Sequence, residues 1–159
     1  MIRKAIVAPL LAATAIVTAV TTFADGHGDY EDAIEARQSL MHIYAFNLGI
    51  LGDMAKGETP YDAGAATAAA NNLVAAAGMD TRAMWPRGSD AAALGEEATK
   101  ARAELWQNFT EAGEHSNALN EATAAMAAAS GEGLDAVRAN IGAIGDSCKG
   151  CHESFRITD

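Results

Sequence analysis

Cys148-Lys149-Gly150-Cys151-His152 constrains this chain more than any other stretch, and it contains the only two cysteines. Residues i, i+3 and i+4 share one face of a helix, so both thiols and the imidazole can address one flat macrocycle. C-x-x-C-H is the pattern of covalent c-type haem attachment. Cys148 and Cys151 would form thioethers to the vinyl groups, with His152 as the proximal axial ligand of the iron. A disulfide or a redox dithiol would leave His152 without a purpose. A zinc site needs four N or S ligands, and His27, His42 and His115 show no paired spacing. The motif therefore implies one haem c per chain.

The 159 residues suffice for one domain. Residues 1–24 read as an export signal, with Arg3 and Lys4, an apolar run from Ala5 to Val20, and small-residue cleavage at Thr22-Phe23-Ala24. The run is shorter than the roughly 20 residues that span a membrane. Cleavage after Ala24 is expected, with periplasmic delivery, no later membrane insertion, and a single domain over 25–159. Losing that segment removes two cations and no anion, leaving nine basic and twenty-one acidic side chains, a net charge of −12. Such a charge disfavours nucleic acid and anionic membranes. It suits a redox partner with a basic docking surface but identifies none.

The rest reads as all-α. Ile34, Arg37, Met41, Ala45, Leu48, Leu51 and Ala55 recur at spacings of three and four, which predicts a helix over Tyr30 to Lys56 with Gly57 just beyond its end. An alanine-rich second helix is expected over Tyr61 to Gly78, anchored by Leu73 and Val74. Met79 to Leu94 forms the one long connection, punctuated by Pro86 and Gly88 and carrying Trp85 back over an apolar surface. A third helix is expected over Gly95 to Ala129, bent near Gly113, with Leu105, Trp106, Phe109, Leu119, Ala122 and Met126 inward. After the break at 130–133, a fourth helix runs from Leu134 to Phe155. Four such helices with mostly short links imply an antiparallel four-helix bundle with covalently bound haem near the C-terminus.

A haem motif in the last helix of a bundle, together with Arg37-Gln38-Ser39-Leu40-Met41, Lys56-Gly57-Glu58 before Pro60-Tyr61-Asp62, the Pro86 to Asp90 loop and Phe155-Arg156, resembles the class II c-type cytochromes, the cytochrome c′ family. The resemblance covers residues 29–157. It implies haem slotted between helices, and a homodimer packed through the first two. It also implies that Arg37 and Gln38 lie near the haem propionates, that Ser89 and Asp90 approach one, and that Arg156 sits beside the proximal imidazole.

The resemblance places Met41 over the distal face of the iron, and two functions follow. If its Sδ ligates, the haem is six-coordinate, His/Met and low-spin, and the protein is a periplasmic electron carrier rather than an enzyme, with no catalytic residue. If Met41 is only an apolar cap, the iron is five-coordinate and high-spin, open to NO or CO. Ligation is the favoured reading. His42 lies about 100° around the helix and should not reach the same iron.

Overall fold

A computed structural model describes residues 27–158; the expected export segment, residues 1–24, lies outside them. The helices are α1 (His27–Lys56), α2 (Ala63–Ala77), α3 (Ala91–Leu94), α4 (Glu104–Gln107), α5 (Phe109–Ala129) and α6 (Leu134–Phe155), with a 3₁₀ turn at Arg82–Met84. Among the described residues there is no strand, only an isolated antiparallel bridge between Ala101 and Arg156. α1, α2, α5 and α6 form the four-helix bundle.

The links are chemically specified. α1 ends in a Schellman arrangement: Gly57 takes φ 80°, its N–H donates to Met54, and the Glu58 N–H reaches Asp53. α2 starts where Asp62 Oδ1 accepts from the Ala65 N–H at 2.6 Å, which satisfies one orphan donor of the first turn. Buried Ala66, Ala69, Ala70 and Ala76 let α2 approach its neighbours closely. The chain directions alternate. Tyr61 at the start of α2 donates to the Ser130 carbonyl at the end of α5, and Arg138 near the start of α6 donates to the Ala55 carbonyl near the end of α1.

The main core joins Leu51, Leu73, Met126, Val137 and Ile144, all essentially without exposure. Each contributes about 1.5–3 kcal/mol by burial. Asn47, buried among them, donates to the Ile43 carbonyl and accepts from Asn72, so this polar group is satisfied. A second cluster of Leu105, Trp106 and Phe155 lies at the attachment end.

Three expectations need correction. The stretch expected as one helix over Gly95 to Ala129 is broken. Gly95 turns at φ 86°, residues 99–102 are extended, and the break beyond α4 falls at Asn108, not Gly113. The cause is tertiary. The Arg102 N–H donates to the Phe155 carbonyl and the Ile157 N–H to the Lys100 carbonyl, so this segment pins the end of α6. Phe109 is 51% exposed rather than inward, and Val74 is 37% exposed rather than an anchor. On α1 the buried positions are Ile34, Arg37, Leu40, Asn47, Leu51 and Met54, not the full expected stripe.

Candidate haem site

α6 covers Leu134–Phe155, the expected span, and carries the whole attachment motif. Cys148 packs against the main core and Cys151 against the second cluster, so the motif bridges the two. Both thiols are free and half-buried. Burial raises the pKa of each, opposed at Cys148 by a hydrogen bond from Ser147 and reinforced at Cys151 by Cys148 and Glu111. They are thus held as neutral thiols, unlike an activated dithiol or a thiolate metal site. Among the described residues no three His, Cys, Asp or Glu side chains converge as a metal would require. His152 faces solvent from the same turn. Its pKa is lowered by burial of the ring and secondarily by the Arg156 cation, which favours the neutral imidazole that ligates iron.

Helix geometry relates His152 to Met41. A Cβ on Gly52 of α1 would stand 3.9 Å from Ile141 Cδ1 of α6, which sets the two antiparallel helices in register. Met41 precedes Gly52 by eleven residues and His152 follows Ile141 by eleven. Eleven residues make about three turns and about 16 Å on either helix. Met41 and His152 therefore stand at about the same level along the two helices, and both are exposed. Tyr44 lies between these points: its pKa is raised first by burial and then by Cys148. Met41 is 38% exposed while its neighbour Leu40 is 4%. An apolar side chain left open at the level of two thiols and an imidazole fits a covalently held porphyrin. The donor chemistry fits as well.

Arg37 organises the other wall. It is 3% exposed, and its terminal nitrogens donate to the Met84 carbonyl, Ser89 Oγ, the Ser89 carbonyl and Thr99 Oγ1 at 2.6–3.2 Å. Its guanidinium also lies 4.7 Å over the Trp85 ring, a cation–π contact. Burial lowers its pKa and Asp90 opposes that shift. All four terminal N–H donors are thereby engaged by the connection, so a haem propionate would take Nε or displace one of these partners. Ser89 is fully buried, and Asp90 caps α3 by accepting from the Ala93 N–H. Gln38 is exposed and donates to the Ala98 carbonyl at 3.4 Å. Arg156 lies one turn beyond His152, its N–H on the His152 carbonyl. His42 is exposed and about 100° around the helix from Met41.

Trp85 packs against the second cluster, with Trp106 at 6.3 Å, and under the Arg37 guanidinium. Sequence reasoning missed Thr99 and Tyr44. Thr99 carries no sequence signal, whereas Tyr44 follows Met41 by three residues and its shared face was legible.

Comparison with known proteins identifies the family. Residues 32–156 match the family described as Cytochrome C′. The chain is 38% identical over 152 residues to cytochrome c-554 of Cereibacter sphaeroides, covering 95% of this chain and 97% of that one. Its structure is similar to that of cytochrome c′ from Rhodobacter spheriodes, with a TM-score of 0.79, 37% identity, and coverage of 82% and 99%. It is also similar, at a TM-score of 0.73, 28% identity and coverage of 81% and 97%, to a cytochrome c′ described by an unusual ligand-controlled dimer dissociation.

Proposed function

The chain belongs to the cytochrome c′ family, is an all-α c-type haem protein, and within that family we propose that it is a periplasmic electron carrier with His152 and Met41 as axial ligands. What supports this reading is that Met41 of α1 and His152 of α6 lie at about the same level along antiparallel helices, and that both are exposed. When bound, the haem supplies a one-electron iron couple. Cys148 and Cys151 hold it from α6 by two bonds, so it does not exchange between turnovers. His152 offers a neutral imidazole, and Met41 a thioether, which favours the ferrous state. If both side chains held the iron in either oxidation state, electron transfer would need little rearrangement. The chain is assigned no catalytic residue and acts as a carrier rather than an enzyme. Among the described residues no helix is long and apolar enough to cross a membrane. Met41→Ala should convert a low-spin ferrous spectrum into a high-spin one. A variant that remains low-spin would reject Met41 and direct attention to His42.

One observation favours the five-coordinate alternative. Met41 is 38% exposed, so packing does not hold its sulfur in place, and a small gas such as CO or NO could take the same side. The relative with ligand-controlled dissociation is consistent with an exchangeable ligand.

The same relative supports a homodimer. Ile43 and Phe46, three residues apart on one face of α1, are 47% and 70% exposed. With Val74 of α2 they make an apolar strip suited to a second copy. Redox partners would meet an acidic surface and so carry a basic docking face.

A further inference from the structure

We infer that His115 is a positioning residue for the haem-attachment turn, acting through a notch that Gly150 leaves in the C-x-x-C-H motif. A Cβ on Gly150 would stand 2.8 Å from His115 Cε1 and 3.1 Å from Nδ1. No other glycine of the described residues would bring a Cβ within 3 Å of anything. The imidazole of α5 thus occupies the space of the missing side chain, inside the motif and adjacent to Cys151.

The ring is fixed from other directions too. It meets Phe155, one turn beyond Cys151, edge-on with centroids 6.2 Å apart. Its Nε2 is buried without a hydrogen-bond partner. Glu111 Oε1, 4.0 Å away, already accepts from Ser154 Oγ of α6 at 2.9 Å. A buried polar atom without a partner is unfavourable, so the placement is not explained by hydrogen bonding. The remaining explanation is steric. The ring sets how closely α5 approaches the turn that bears Cys151 and His152, and through it how that turn would hold an attached haem.

This rests on haem attachment at Cys148 and Cys151. The test uses holoprotein in four forms: parent, Gly150→Ala, His115→Ala and the double variant. Gly150→Ala should alter the ferric and ferrous spectra and shift the ferric–ferrous equilibrium constant by roughly three- to tenfold, within the range of direct-contact coupling. The double variant should return towards the parent, because the added methyl then enters the space the ring has left. A Gly150→Ala protein indistinguishable from the parent overturns the proposal, and so does a double variant no closer to it. If Gly150→Ala fails to take up haem, His115→Ala alone decides, since it creates no clash: an unchanged spectrum and reduction potential overturn the inference. Acid-acetone extraction of each form separates this from the attachment itself, because haem extracted from the parent would reject the thioethers and not the notch.

Discussion

The middle of the bundle and its attachment end are held by different chemistry. In the middle, Leu51, Leu73, Met126 and Val137 interlock with no side chain singled out. At the attachment end, one buried arginine gathers Met84, Ser89 and Thr99 around itself and stacks on Trp85. Apolar packing is non-directional and shared among many residues. A guanidinium clasp is directional and has no substitute. The middle can therefore carry the fold while the other end leaves Met41 and His152 exposed.

The largest effect belongs to the motif. Cys148→Ser with Cys151→Ser should abolish acid-acetone-resistant haem altogether while the helical signal of the main core persists. Loss of the helices together with the haem would show that the two regions are not separable.

Arg37→Ala and Leu73→Ala should each destabilise by about 3 kcal/mol, the first by orphaning buried partners and the second by opening a cavity. Hydrogen exchange should distinguish them. Arg37→Ala should expose amides over residues 84–102, and Leu73→Ala should lower protection throughout. Identical patterns would erase the distinction drawn between the two regions. Arg37→Lys should not rescue, because an ammonium cannot reproduce the planar fork.

Phe46→Glu should weaken self-association by about tenfold or more in analytical ultracentrifugation while leaving the haem spectrum unchanged. An unaltered dimer would remove the outer α1–α2 flank from consideration. The smallest effect lies at the exposed foot of the connection. Hydrogen bonds from Arg82, side chain first and backbone second, lower the Asp80 pKa to about 2. A depressed carboxylate stabilises above its ordinary range and loses that contribution as pH falls through its folded value. Asp80→Asn should therefore remove a small contribution at neutral pH and flatten the profile between about pH 4 and 2, so that variant and parent converge in acid.

What was legible in the sequence divides along the same line. The bounds of α6 follow from its break at 130–133 and its periodicity, whereas α2, expected from Tyr61, begins two residues later because Asp62 caps it. The Gly95 to Ala129 reading failed because its composition is helix-forming, whereas Thr99 and the backbone at 100–102 are drawn to Arg37 and to the end of α6. Local propensity carries no record of such distant partners. The α1 stripe slipped by one residue in mid-helix because that helix is apolar on more than one side: Leu40 is buried, whereas Met41, Ile43 and Phe46 are exposed. Periodicity assumes one buried face. The motif itself was readable at once, but the notch at Gly150 needed the other helix.

The central claim is that Met41 holds the sixth position of the iron, and the ferrous optical spectrum recorded with and without CO tests it most directly. The account predicts a low-spin ferrous spectrum that CO barely alters. A high-spin spectrum that shifts promptly on adding CO would contradict it and assign the protein to gas binding.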